Sequence, residues 1–198
     1  MNLILSEKEI GAPHVKTKLI EIEGADGSID LTDFFGEPKY GDVTHRFTFS
    51  TIVPRSDFLT QYSRIKNALH GRKLRIVLDD DPGYYYVGRC HVSSFTNEKN
   101  IGKISIDCEC EPYKYKAQQT VVSVTLNGTQ AISLTNSRKR AVPTITASAP
   151  MTIVFGGGSW AKGSGTFTIP ELELVEGENY VTVTGTGDIS FAWTEGDL

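Results

Sequence analysis

The chain has 198 residues, of which 39% are hydrophobic and 22% charged, and its formal net charge is −4. This composition is ordinary for a folded globular protein of one large or two small domains, and the slight negative charge excludes the basic field that gathers nucleic acid. No apolar run approaches the ~20 residues that cross a bilayer, so neither a nucleic-acid partner nor a membrane partner is expected.

The first residues, Met1 to Glu7, contain a short apolar run without a basic lead or a small-residue cleavage site, so no signal peptide is expected. The chain has three cysteines, and this odd number argues against the disulfide framework of a secreted protein. Both observations predict synthesis in a reducing cytoplasm.

The segment from Gly24 to Phe49 is a polar, glycine-punctuated arm that leads into an alternating strand at His45 to Phe49. The arm carries four aspartates: Asp26, Asp30, Asp33 and Asp42. Nothing in the segment has the spacing of a catalytic or cofactor-binding motif. It therefore indicates neither an enzyme nor a cofactor.

One helix is predicted after the arm. Ser56 follows a break at Pro54 and offers a hydroxyl N-cap, and Asp57 lies in the first turn, where its charge favours the helix dipole. Apolar residues then recur on one face of a 3.6-residue repeat: Phe58, Tyr62, Ile65 and Leu69. Gly71 ends the helix as a residue that can take positive φ. A helix this short is marginal alone, so we expect its apolar face to pack on a sheet.

Most of the other residues up to Ala117 predict strands. A hairpin is predicted from Leu74 to Val87, with its turn at Asp79 to Gly83. The stretch from Ile104 to Cys110 alternates apolar and polar residues, which is typical of a half-buried strand. The polar segment from Glu111 to Lys116 is the best candidate for a linker.

Two clusters contain residue types that bind metals. The aspartates Asp79 to Asp81 offer oxygen ligands for a hard cation, but they lack a spaced calcium loop with a distal glutamate, and aspartate is common in turns. The second cluster offers zinc ligands, but not in the usual spacing: Cys90, His91, Cys108 and Cys110. Cys108 and Cys110 share the apolar face of their strand, and His91 points away from Cys90. We therefore interpret the aspartates as a turn and the cysteines as core residues.

The composition changes near residue 117. Up to Ala117 the chain has 16 of its 20 Lys and Arg residues and 17 of its 24 Asp and Glu residues. The rest is rich in Thr and Gly, which favour strands and tight turns. Near its end, Ile189, Phe191 and Trp193 alternate with small residues. We predict two domains, 1–117 and 118–198, of which the second is a small β-sandwich.

Trp160 follows the glycine run Gly156 to Gly158. No lysine or helix start comes after these glycines, so they do not form a phosphate-binding loop. A flexible loop that displays Trp160 is predicted, and an exposed tryptophan can stack on a sugar or dock a partner. Alternatively the ring covers the edge of a small sandwich core, which is the interpretation we favour.

Four segments, in order, resemble the distal tail protein family of siphophages, whose tails are long and non-contractile. Residues 24–32, GADGSIDLT, are similar to the family's G-x-D-G-x-x-D-L-T arm, although Ala25 stands where the family frequently has Arg. Residues 72–89 resemble its central hairpin and residues 110–115 its C-x-P-Y-K-Y segment. Residues 176–193 are similar to the G-x-N turn and last strand of its galectin-like C-terminal domain. The resemblance covers essentially the whole chain.

The resemblance implies a mainly β fold, with an N-terminal β-sandwich-like, ring-forming domain that carries one α-helix and a small C-terminal galectin-like β-sandwich. It implies a structural virion protein that forms a homohexameric ring at the distal tail tip. The ring would join the tail tube protein to the baseplate and the tail-associated hub or lysin protein, with receptor-binding proteins as further partners in some phages. The protein would be made in the bacterial host cytoplasm from a phage or prophage gene.

The resemblance also places a subunit interface in the arm, and the predicted contact residues are Gly24, Asp26, Gly27, Asp30 and Leu31. A polar arm can lie across the sheet edge of a neighbouring copy and pair its backbone groups there. The alternative function is a lectin-like module that binds host-surface glycan through the second domain, with Trp160 as the contact residue.

Overall fold

The structure, a computed structural model, describes residues 3–34, 36–52, 54–98 and 101–198. It is mainly β with a single α-helix among these residues, which confirms the predicted fold class. The chain forms two compact units, one of residues 1–76 and 86–112 and one of residues 77–85 and 113–198. The division into domains 1–117 and 118–198 stays a prediction, because compactness of a unit is not independent folding.

The first unit is built on an antiparallel sheet. The described elements up to Cys110 are, in chain order, β1 (Ile4–Glu9), β2 (Leu19–Glu21), β3 (Ser28–Asp30), β4 (Val43–Ile52), a 3-10 turn (Arg55–Asp57), α1 (Phe58–Leu69), β5 (Lys73–Leu78), β6 (Asp81–Glu98) and β7 (Ile101–Cys110). Within the unit the strand order is β1-β4-β7-β6. Ile104 and Ile106 are buried on one face of β7, as the alternation of this strand predicts.

Helix α1 begins at Phe58, later than the sequence predicts. Ser56 lies inside the preceding 3-10 turn, and its hydroxyl donates to the Asp57 carboxylate at 3.0 Å. The predicted hydroxyl cap at Ser56 is therefore wrong: the N-cap residue is Asp57, and it makes no side-chain cap hydrogen bond. At the other end Gly71 has a φ of +77°, the positive value that the sequence predicts.

The predicted apolar face of α1 is confirmed. Phe58 and Ile65 are buried, and the Tyr62 ring stacks on Phe95 of β6 with ring centroids 4.8 Å apart. The helix therefore packs on the sheet of its own unit, which supplies the burial that a short helix needs. No helix of the described residues has the length and apolar character to cross a membrane.

Two strand boundaries differ from the sequence prediction. The turn between β5 and β6 contains only Asp79 and Asp80, so the residues from Asp81 to Gly83 belong to β6. The predicted linker is also partly wrong, because Lys114–Lys116 forms strand β8. This strand pairs with Tyr84 and Tyr85, which lie about thirty residues earlier, and a pairing between such distant residues leaves no local sequence signal.

The second unit is organised by two long antiparallel strands. From Lys114 its elements are β8 (Lys114–Lys116), β9 (Thr120–Asn136), β10 (Thr144–Ala147), β11 (Met151–Phe155), β12 (Gly158–Lys162), β13 (Gly165–Thr168), β14 (Gly177–Trp193) and β15 (Gly196–Asp197). Strands β9 and β14 pair along their full length. Strand β11 joins one half of β14 and β10 joins the other half.

The paired β9 and β14 strands supply much of the core of the second unit. A straight strand of this length would extend ~55 Å, but Gly128 lies opposite Gly185, and Gly128 and Gly187 have φ values of +107° and +124°. These glycines permit a bend that lets both halves of the ribbon share one core. The buried apolar residues of the two strands are Leu126, Ile132, Leu134, Val181, Val183, Ile189, Phe191 and Trp193.

Two buried polar side chains also hold the second unit together. The Asn179 amide donates to the carbonyls of Leu134 at 3.2 Å and Val175 at 2.9 Å, and its oxygen accepts from the Val175 N–H at 2.9 Å. Glu195 accepts from the Lys116 ammonium at 2.7 Å and from a threonine hydroxyl of β9. Burial opposes ionisation of Glu195, but these hydrogen bonds outweigh it and lower the pKa of the carboxyl.

Candidate subunit interface

The arm of the sequence analysis is one half of a longer antiparallel hairpin. Residues 14–41 form this arm hairpin, in which Phe35 lies outside the described residues. Near its base the Lys16 N–H donates to the Lys39 carbonyl at 2.7 Å. Further out β2 pairs with β3, and Ile20 lies directly opposite Ile29. The outgoing half, before Gly24, was not predicted.

The tip of the arm hairpin is formed by the glycines of the predicted motif. Gly24 and Gly27 have φ values of +82° and +78°, which other residues rarely adopt. Between them the Ala25 N–H donates to the Ile22 carbonyl at 3.2 Å and closes a turn. Asp26 is exposed in this turn. The glycines therefore have a conformational role in reversing the chain.

The rest of the motif fixes the returning strand. The Asp30 carboxylate accepts a hydrogen bond from the Thr32 N–H at 2.8 Å, and the hydroxyl oxygen of Thr32 accepts one from the Lys18 N–H at 3.1 Å. Hydrogen bonds from the Thr32 hydroxyl and backbone lower the pKa of Asp30. Leu31 is half-buried, and its N–H donates to the Lys18 carbonyl at 2.8 Å. Gly24, Gly27, Asp30 and Leu31 therefore determine the conformation of the hairpin itself. Their contact with a neighbouring copy stays a prediction.

The apolar side chains of the arm hairpin were not predicted. Ile20 and Ile29 form a cross-strand pair on one face, where they are 43% and 49% exposed. The opposite face carries Leu19, which is 59% exposed and pairs with Asp30. Alternation on both sides of a glycine-rich turn is the hairpin signal that would have found this pair.

The arm hairpin is also acidic. Between Leu19 and Phe34 the sequence has five Asp or Glu residues and no Lys or Arg. An apolar pair flanked by acidic side chains suits a surface that is apolar with basic residues around it, because complementary charge steers and aligns a contact.

Strand β1 is a second exposed surface of the first unit. It is the terminal strand of the described sheet, and all six of its residues are exposed. Ile4 is 62% and Leu5 45% exposed. A bulge interrupts the register between Leu5 and Glu7, a feature often found at sheet edges. The backbone groups on the outer side of a terminal strand can pair with another chain.

A buried histidine anchors the segment just before the arm hairpin to the sheet. His45 of β4 is 1% exposed, and its Nδ1 accepts from the Gly11 N–H at 3.2 Å. The Tyr86 ring lies nearly perpendicular to the imidazole, with ring centroids 4.5 Å apart. Burial lowers the pKa of His45, which keeps the imidazole neutral and able to accept the hydrogen bond.

The two clusters weighed as metal sites have other surroundings. Asp81 forms an ion pair with Lys114 at 2.9 Å. Cys90 and Cys108 are buried neighbours, whereas His91 is partly exposed and lies 3.9 Å from the Glu109 carboxylate. Within the described ranges, no three His, Cys, Asp or Glu side chains are grouped so that they could hold a metal ion.

Trp160 does not lie in a flexible loop. Gly156 and Gly157, with φ values of +55° and +85°, form a two-residue turn between β11 and β12, the kind of turn that joins tight hairpins. Trp160 belongs to β12 opposite Ile153, and its ring packs against the core of the second unit. The predicted display loop is therefore wrong, and a glycan contact at Trp160 stays a prediction.

Comparison with known proteins gives a match to a solved structure. No family model matches the sequence, and no curated protein matches it significantly. The chain is similar to the crystal structure of the Dit protein (gp 19.1) of SPP1, which is described as a paradigm of the hub adsorption apparatus in phages that infect Gram-positive bacteria. The TM-score is 0.70 at 15% identity, over 99% of this chain and 94% of that chain.

The two proteins share one fold. Nearly all of both chains is matched, so the likeness extends over the residues of both compact units. The resemblance of the sequence to distal tail proteins is thereby confirmed at the level of the fold.

Proposed function

We propose that this protein is a structural component of a phage tail tip, where its copies form a homohexameric ring between the tail tube and the baseplate. The proposal depends on one observation, the exposed Ile20–Ile29 pair of the arm hairpin, in a chain that has the fold of a tail hub protein. An isolated two-stranded hairpin is marginally stable in water. Packing against a neighbouring copy would stabilise it.

A closed ring requires two different surfaces on each copy, because its subunits meet head to tail. The arm hairpin is one candidate surface. Strand β1, whose six residues are all exposed at the end of the sheet, is the other. It offers backbone groups and the apolar Ile4 and Leu5, but with two Glu and one Lys it does not supply the basic surroundings that would complement the arm hairpin. In the proposed ring the arm hairpin of one copy lies against the first unit of the next. Gly24, Gly27, Asp30 and Leu31 set the shape of the hairpin, and Asp26 lies at its exposed tip. Ile20 and Ile29 bury their apolar surface in the contact.

The proposed role is non-enzymatic and belongs to the virion. One face of the ring would meet the tail tube protein, and the other would meet the tail-associated hub or lysin protein. The second unit would be the galectin-like domain and would support receptor-binding proteins. The chain would be made in the bacterial cytoplasm and would act outside it, as part of a released particle of a phage or prophage.

The mass of the protein in solution tests this proposal. Light scattering across a concentration series, alone and with the tail tube and hub proteins encoded beside it, should reveal a species of six times the 21.8 kDa chain mass. A mass that stays at that of one chain under all of these conditions would contradict the ring. A monomer in dilute solution without the neighbours would not, because closed rings assemble by mass action.

A further inference from the structure

Two cysteines face each other across adjoining strands of the first unit. Cys90 of β6 and Cys108 of β7 are register partners, and their sulfur atoms are 3.0 Å apart. Both side chains are buried, at 4% and 2% exposure. The Cys108 thiol donates a hydrogen bond to the Cys90 sulfur.

The backbone geometry suits a disulfide. Residues directly opposite in an antiparallel pair have Cα atoms about 4.5–5.5 Å apart, which is inside the range of about 4.4–6.8 Å found across disulfides. The sulfurs would have to approach by only about 1 Å to reach bonding distance.

The third cysteine has no such partner. Cys110 lies opposite Gly88 of β6 and Val43 of β4. Burial raises the pKa of Cys110 to about 12, so its thiol stays protonated near neutral pH. Of the three possible cysteine pairs, the arrangement therefore favours Cys90 with Cys108.

We propose that Cys90 and Cys108 are a dithiol that is reduced during synthesis and forms an intrasubunit disulfide when the protein meets an oxidant outside the cell. The change from reducing to oxidising surroundings rests on the proposed function, since a virion protein passes from a reducing cytoplasm to an oxidising medium. The bond would join β6 to β7 and so clamp the sheet that carries β1 and the arm hairpin.

The chemistry is balanced with a peroxide as the oxidant. The hydrogen bond from Cys108 lowers the pKa of Cys90, which makes Cys90 the attacking thiolate. Its sulfur displaces hydroxide from hydrogen peroxide and becomes a sulfenic acid. The Cys108 sulfur then attacks the Cys90 sulfur, and the oxygen leaves as water with the Cys108 proton. Two thiols and one peroxide give one disulfide and two waters.

The test uses the purified full-length chain, whether or not it forms a ring. The reduced protein is incubated with hydrogen peroxide, denatured in an alkylating agent, digested without reductant and mapped by mass spectrometry. We expect a peptide pair joined through Cys90 and Cys108 that has lost two hydrogen atoms, with Cys110 alkylated. Because local openings admit the oxidant to buried thiols, the incubation extends over hours.

Two variants make the assignment specific. Cys110→Ser should form the same Cys90–Cys108 link as the unaltered chain, whereas Cys108→Ser should form no linked pair. Alkylation of all three thiols in the treated unaltered chain, or a disulfide that includes Cys110, would overturn the proposal even if Cys108→Ser does not fold. Neither result concerns the ring, so the proposed function is tested separately, by the light-scattering measurement of the mass in solution.

Discussion

Replacing the apolar pair of the arm hairpin should weaken ring assembly without unfolding the protein. Full burial of an isoleucine side chain stabilises by about 1.5–3 kcal/mol. Ile20 and Ile29 still expose 43% and 49% of their surface, so roughly 1 kcal/mol each is available for a contact with the next subunit. Ile20→Thr with Ile29→Thr should therefore cost about 2 kcal/mol at each interface, a roughly 30-fold rise in its dissociation constant.

The matched control is Leu19→Thr. Leu19 is 59% exposed on the opposite face of the same hairpin, so the change removes an exposed apolar surface comparable to that of one of the two isoleucines and introduces the same strand-forming residue. Light scattering over a concentration series should place the midpoint of assembly roughly 60-fold higher for the double variant, because six weakened interfaces are shared among five association steps, and leave it unchanged for Leu19→Thr. At a protein concentration too low for assembly, circular dichroism should show the same Tm for all three chains, because the arm hairpin lies outside both cores. An equal assembly midpoint for the double variant and the unaltered chain would show that the isoleucine pair does not stabilise the contact. An equal loss of assembly in the double variant and in Leu19→Thr would show that the effect is not specific to the face that carries the pair.

Three further predictions concern the second unit. Asn179→Ala should lower stability by about 2 kcal/mol and the Tm by about 4–8 °C, because it leaves buried backbone groups unpaired. The control Asn127→Ala, at an exposed position of β9, should change neither quantity. An equal fall in Tm for both variants in calorimetry would contradict this prediction. Glu195→Gln should lower stability by about 1 kcal/mol near neutral pH. Because the pKa of Glu195 is lowered in the folded state, the stability difference between the two chains should be complete above the pKa of the unfolded state and should vanish as the pH falls through the pKa of the folded state. A stability difference that persists in urea titrations at acid pH would contradict this prediction. Trp160 should give no fluorescence change with host-surface sugars up to millimolar concentration, since its ring packs against the core; a saturable change that Trp160→Phe abolishes would restore the lectin interpretation.

Local patterns predicted the parts of the fold that depend on local periodicity. The 3.6-residue repeat located the buried face of α1 at Phe58 and Ile65, and the two-residue repeat located the buried face of β7 at Ile104 and Cys108. In both cases the side chains that one element buries are spaced by its own geometry, so no knowledge of the neighbouring elements was needed.

Features that depend on distant pairing were not predicted. Lys114–Lys116 is polar and short, and it becomes a strand only because Tyr84 and Tyr85 on one side and β15 on the other supply backbone partners. The outgoing half of the arm hairpin is a different case, because β2 pairs with the nearby β3 and the alternation on both sides of the glycine-rich turn is a local signal of that hairpin.

The candidate site was predicted in part. The glycines and Asp30 of the motif mark the arm, because turns and local caps need specific residue types. The exposure of Ile20 and Ile29 is not visible in the sequence, where an isoleucine pair indicates a core. Only the structure shows that both side chains are nearly half exposed.

In the proposed ring the arm hairpin joins one copy of this chain to the next. Native mass spectrometry can compare the full chain with a chain in which residues 19–31 are replaced by a short Gly-Ser turn, each mixed with the neighbouring tail proteins. We expect assemblies with six copies of the full chain and single copies of the shortened one. Assemblies of the same size from both chains would show that the arm hairpin does not hold the ring together.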